Sequence, residues 1–122
     1  MATFIHNDGY AAYFAYFQAC TRQDLVSDTL VPTDLTGSLA NVTMVGGDYS
    51  IADGAGGGRE LTVAAKSNVA VTGVGTTRHA VLSLDGVIRL VTECAERSVD
   101  NTVGDLVNMS SYTLEVVAPV AS

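Results

Sequence analysis

RHAVLSLDGVIRLVTEC, residues 78–94, decides the fold, because two β-rich runs flank the dipeptide Asp85-Gly86. Asp-Gly suits a two-residue type I′ turn, whose central residues both take positive φ and whose twist matches that of the flanking strands. A turn of this kind sets the register of the whole ribbon. Leu84 is expected to face Val87, Leu82 to face Arg89, Ala80 to face Val91, and Arg78 to form a cross-strand ion pair with Glu93. On the other side Ser83 faces Ile88, Val81 faces Leu90 and His79 faces Thr92. Neither side is polar enough to lie in water, so both faces are expected to be covered.

Similar runs surround the hairpin. ANVTMV (40–45) ends at Gly46-Gly47, DYSIA (48–52) ends at the run DGAGGG, and ELTVAA (60–65) leads into NVAVTGV (68–74). After the hairpin comes a connection, SVDNTVGD, and a last strand within SYTLEVVA that Pro119 ends. Short strands at close spacing with turn residues between them read as an antiparallel β-sandwich or a small barrel. Asp24 to Leu39, broken by Pro32 and Gly37, reads as a connection with room for a short strand or helical turn near Leu30 and Val31.

The N-terminal part differs. MATFI reads as a short strand or arm, and Asn7 and Asp8 are candidate caps for a helix over residues 9–23. Five of the eight aromatic side chains fall in that helix: Tyr10, Phe14 and Phe17 form one stripe, flanked by Tyr13, Tyr16 and Cys20. Ala11, Ala12, Ala15 and Ala19 lie opposite, and no charge occurs from Gly9 to Thr21. The stripe suits the domain core, while the alanine side lets a neighbouring subunit approach closely. The expected fold is α+β with β dominant: one domain over 1–122, with an arm at 1–8, the aromatic-rich helix at 9–23 and a β-rich body at 40–119.

Only 16% of the residues are charged and the mean hydropathy is +0.29, against about 25% charged residues in ordinary soluble domains. The longest apolar run, YAAYFAYF, is far short of the roughly 20 residues a spanning helix needs. MATFIHND lacks the basic start and apolar middle of a signal peptide. Burial in an oligomer or a larger assembly is the expectation that remains. A net charge of −7 with six scattered cations (Arg22, Arg59, Lys66, Arg78, Arg89, Arg97) argues against a nucleic-acid surface. Cys20 and Cys94 have no metal spacing and are expected to be free and reduced.

No catalytic pattern stands out. DGAGGGR (53–59) lacks the lysine and hydroxyl of a P-loop, and Arg59 stands where a dinucleotide fingerprint needs its last glycine. Asp48 and Asp53 flank glycines without the alternating oxygen ligands of a calcium loop. His6 and His79 have no orienting third group beside Cys20 or Cys94. His79 reads as a satisfied strand histidine, and Glu93, Glu96, Asp24 and Asp28 as ordinary solvated carboxylates. The chain is therefore expected to be no enzyme and to hold no cofactor or metal.

The block LTVAAKSNVAVTGVGTTRHAVLSLDGVIRLVTEC, with the closing strand YTLEVVAP, resembles small β-rich virion structural proteins of tailed bacteriophages. Those carry a segment of the form NVAVTGVGTATHVALVD before an R-L-hydrophobic-V-T strand and a closing E-hydrophobic strand. The matching positions are Asn68 to Thr76, His79 to Asp85, Arg89 to Thr92 and Leu114 to Pro119. The likeness covers about residues 61–119. This chain departs from the pattern at Thr77-Arg78 and in the longer connection AERSVDNTVGD. The resemblance implies a structural component of the virion, made in the host cytoplasm: a cement or decoration protein on the capsid surface. Its partners would be the major capsid protein and further copies of itself, with no nucleic acid or membrane. Phe4, Ile5, Tyr10, Tyr13 and Tyr16 are the candidate contact residues, tyrosine combining contact area with a polar handle. A tail or head-to-tail connector component is the alternative within that class. A host-surface or glycan-binding module is the alternative outside it, with Tyr49 and Tyr112 the aromatic residues of the sheet region.

Overall fold

The computed structural model describes residues 7–53 and 58–116, with side chains from residue 12 onward. The elements are α1 (Asn7–Gln18), β1 (Arg22–Val26), β2 (Ser38–Thr43), β3 (Tyr49–Asp53), β4 (Arg59–Val63), β5 (Lys66–Ala70), β6 (Val74–Leu84), β7 (Val87–Asp100), β8 (Leu106–Met109) and β9 (Tyr112–Val116). Among the described residues these form three antiparallel sheets, ordered β2-β1-β6-β7, β3-β4-β9 and β5-β8. The protein is α+β and β-dominant, with one short aromatic-rich helix near its N-terminus.

The Asp85-Gly86 turn takes the backbone its sequence demands, with φ of 52° and 80°. Leu84 pairs with Val87 and Ser83 with Ile88, as read. Beyond that the register shifts, because Leu82 pairs with Leu90 and leaves Arg89 as an extra residue. A second irregularity sets Cys94, Ala95 and Glu96 against Arg78 alone, since His79 pairs with Glu93 and Thr77 with Arg97. Extra residues on one strand are β-bulges, which bend the strand and re-aim its side chains. The expected Arg78–Glu93 ion pair is displaced accordingly: Arg78 Nη1 lies 2.6 Å from Glu96 Oε1.

Both faces of β6 are covered, for His79 through Ser83 are all buried. One face of the four-stranded sheet, carrying Leu25, Ala40, Ala80 and Leu82, meets both smaller sheets. Leu82 packs with Phe14, Phe17, Met44, Tyr49, Leu61 and Val63. Leu25, Ala40 and Ala80 pack with Val69, Val71, Val107 and Met109. The arrangement is two-layered and sandwich-like, with α1 closing the end of the first cluster. Each fully buried Val or Leu contributes about 1.5–3 kcal/mol relative to an exposed one.

Three boundaries differ from the sequence reading. The helix ends at Gln18, not Gln23, because Thr21 onward turns into a sheet: Thr21 N–H donates to Ser83 O and Met44 N–H donates to Thr21 O. Among the described residues strand structure accordingly begins at Arg22, well before residue 40, and Leu30 and Val31 lie exposed outside any strand. Asp24 is no solvated charge: it is fully buried, accepting from Arg22 Nε and Nη2 at 2.7 Å each and from Ser38 Oγ at 2.6 Å. The SVDNTVGD connection is short, since β7 runs through Asp100 and β8 follows one 3₁₀ turn at Asn101–Val103. The expected arm lies largely outside the described residues, while Asn7 and Asp8 belong to α1.

Candidate functional site

The candidate contact residues fall on and before α1. Phe4 and Ile5 lie outside the described residues, and Tyr10 is placed on α1 by its backbone alone. Tyr13 and Tyr16 are about half exposed, whereas Phe14 and Phe17 beneath them are buried. The four rings form edge-to-face contacts, with centroids 5.6 Å apart for Tyr13–Phe14, 5.4 Å for Tyr13–Phe17 and 5.3 Å for Tyr16–Phe17. Edge-to-face geometry sets the positive ring edge against the negative ring face. Ala12, Ala15 and Ala19 are exposed. From residue 12 through Ala19, just past the helix end, the chain thus presents alanine, tyrosine and the half-buried Gln18 to solvent, with no charged side chain of its own.

What anchors α1 is the residue that the first bulge extrudes. Arg89 Nη1 donates to Tyr16 O at 2.7 Å, and its guanidinium lies 4.2 Å from the Tyr16 ring centroid. Carbonyls in the last helical turn lack intrahelical partners and carry the negative end of the macrodipole. The last turn of α1 has no basic residue of its own, so β7 supplies the cation. Sequence reading missed Arg89 because strict alternation places it opposite Leu82. A bulge leaves no mark in alternation when its extra residue is an ordinary strand former.

Below the helix, Tyr49 donates its hydroxyl to Cys20 O at 2.8 Å, and burial pushes the phenol well above its ordinary range. Tyr112 donates to Gln23 Oε1 at 2.9 Å and is shifted upward for the same reason. Gln23, itself fully buried, donates through Nε2 to Met109 Sδ at 2.9 Å. Gln23, Met109 and Tyr112 help line a cavity of about 270 Å³ that opens between β7 and β8. Leu25, Ala80, Val107, Met109 and Cys94 contribute to its walls. Burial raises the Cys94 thiol, opposed by its hydrogen bond with Thr77, and raises the Cys20 thiol against the field of Arg89. Both cysteines are free.

The constellations weighed as chemistry are separate in space or structurally engaged. His79 Nδ1 lies 3.0 Å from Asp28 O, the satisfied strand histidine expected, and His6 is outside the described residues. Asp53 pairs with Arg59 at 2.7 Å across the base of the glycine run. Asp48 pairs with Lys66 at 2.8 Å and accepts from Val45 N–H, and these hold its carboxyl below the usual range. Among the described residues no three His, Cys, Asp or Glu side chains gather as a metal site, and no helix is long and apolar enough to cross a membrane. Comparison with family models, with curated proteins and with solved structures finds no match.

Proposed function

We propose that this protein is a virion structural component, a cement or decoration protein that binds the assembled head lattice of a tailed phage and stabilises contacts between major capsid subunits. The observation that carries the reading is the solvent side of α1. Ala12, Tyr13, Ala15, Tyr16 and Ala19 are exposed and themselves uncharged, backed by the buried Phe14 and Phe17 and bordered at Tyr16 by the Arg89 guanidinium. A helix that is polar on no side belongs against another surface, and small residues there allow close approach while tyrosine supplies area and a hydrogen-bonding tip. The resemblance of residues 61–119 to virion structural proteins supports a capsid surface as the partner.

The mechanism is linkage. A protein that binds only the assembled lattice lowers its free energy relative to free subunits, and many copies multiply a modest contact. The acidic balance of −7 keeps the free protein soluble before it docks. Incubation with phage heads stripped of accessory proteins, followed by imaging, tests the reading. Regular density over the lattice is the expected result. Density confined to one vertex or to the tail would place the protein in the connector class instead, and no binding would end the virion reading.

A further inference from the structure

The cavity of about 270 Å³ has a wall that ordinary packing does not explain. Its inner part is apolar, built from Leu25, Ala80, Val107 and Met109, all buried members of the second core cluster. Protein interiors hold few voids larger than a water molecule, and an apolar cavity of about 150 Å³ already accepts a benzene ring. The space here is roughly twice that, enough for two fused aromatic rings.

One polar group in the wall is under-satisfied. Gln23 is fully buried; its carboxamide accepts from the Tyr112 hydroxyl at 2.9 Å and donates through Nε2 to Met109 Sδ at 2.9 Å. Both partners line the cavity, which sets the amide at its surface. An amide nitrogen carries two hydrogens, and a thioether sulfur is a weak acceptor. Among the described residues that sulfur is the sole acceptor for Nε2. A buried donor without a good acceptor is costly, so a ligand that brings one gains more than its apolar area provides. The Met109 thioether also favours an aromatic ring over an aliphatic body. Around the opening, Thr77 Oγ1 donates to Ala95 O at 3.1 Å and holds the second β7 bulge in place. Bulges recur next to binding sites because they re-aim side chains. Glu93 and Arg97 there carry one charge of each sign, so the mouth favours neither an anion nor a cation.

We propose that this cavity binds a small uncharged bicyclic aromatic molecule bearing one hydrogen-bond acceptor, a ring nitrogen or a carbonyl oxygen, which receives the second N–H of Gln23. The rings fill the space walled by Leu25, Ala80 and Val107, and the acceptor completes the hydrogen bonding of the buried amide. Apolar walls with a few convergent polar groups are the usual make-up of a small-molecule site. The inference concerns the free protein and stands or falls independently of lattice binding.

Quinoline and naphthalene are the probes, since they share a shape, differ by one ring nitrogen and are both uncharged at neutral pH. Titration of isotope-labelled protein followed by NMR should give saturable amide shifts around the cavity, at Ala80, Cys94, Val107 and Met109. Absence of saturable shifts with either probe up to its solubility limit would overturn the proposal and leave the cavity to water. Naphthalene leaves water more readily, so the role of Gln23 is read from the ratio of the two affinities, compared between wild type and Gln23→Met. Methionine keeps the length of the side chain without its N–H groups, and the ratio should move against quinoline by about tenfold. An unchanged ratio would overturn the acceptor-bearing ligand. Cys94→Phe plugs the cavity from a half-buried wall position and should abolish saturable binding of both probes while the amide shifts of α1 and β3 stay in place. Retained binding in that variant would overturn the cavity as the site, and this readout does not depend on the stability of Gln23→Met.

Discussion

Replacing Arg89 by alanine tests whether the extruded residue of the first bulge holds α1. The substitution removes a 2.7 Å charge-assisted hydrogen bond to Tyr16 O and a cation lying 4.2 Å from the Tyr16 ring centroid. A hydrogen bond to a charged group contributes about 1.5–3 kcal/mol, but Arg89 is only partly buried and water can replace it at the carbonyl, so about 1 kcal/mol is appropriate. The ring contact adds about 0.5–1 kcal/mol at an exposed site. The total is about 2 kcal/mol, or roughly 30-fold in the equilibrium for releasing the helix. Hydrogen exchange is the informative assay because it separates local from global loss. Amides of α1 from Ala15 to Gln18 should exchange roughly 30-fold faster, while those of β1 and β6 keep their protection. Arg89→Lys keeps the charge without the planar fork and should recover part of the loss. Unchanged exchange in α1, or equal acceleration in α1 and β6, would refute the anchoring role.

Three further outcomes follow from the geometry. Arg22→Met leaves the fully buried Asp24 carboxylate with Ser38 as its remaining side-chain donor and, the arginine itself being half exposed, should cost about 1.5–3 kcal/mol in urea denaturation; adding Asp24→Val should return much of it, and a double variant no better than the single would contradict this. Gly86→Val forces a β-branched residue to a φ of 80° where nothing crowds the added Cβ, so the loss, about 1–2 kcal/mol, is backbone strain alone; an unchanged melting temperature would disprove the two-residue turn. Asp48, its carboxyl depressed by Lys66 and by Val45 N–H, binds its proton less readily folded than unfolded. Its contribution is therefore present above the unfolded carboxylate range, about pH 4, and is lost as pH falls through the folded value. Asp48→Asn should lower stability at pH 6 and flatten the decline between pH 4 and 2, and an equally steep decline would count against the pairing.

The hairpin, most strands and the aromatic core of α1 are legible because each depends on local signals: the Asp85-Gly86 turn, alternation, and a 3.6-residue aromatic stripe. Strand β1 is not legible, for a reason visible in its burial. Gln23 through Val26 are all buried, since β1 lies mid-sheet with both faces covered, and so no alternation marks it. Gln23 is satisfied from far along the chain, by Tyr112 and Met109, and Asp24 by Ser38 together with its neighbour Arg22. The register of β6 and β7 is legible for two pairs and lost at Arg89, where an extra residue changes every later partner. Tyr13 and Tyr16, read as flanks of the aromatic stripe, are about half exposed, and the cavity between β7 and β8 arises from elements distant in sequence and has no local signature.

The most direct measurement is saturation binding to stripped phage heads by wild type and by Ala15→Arg, a substitution on the exposed side of α1 that disturbs neither Phe14 nor Phe17. The account predicts regular, saturable binding by the wild type and a loss of at least tenfold in affinity for the variant at unchanged thermal stability. Equal binding by the two proteins would contradict the claim that this helix face is where the protein meets its lattice.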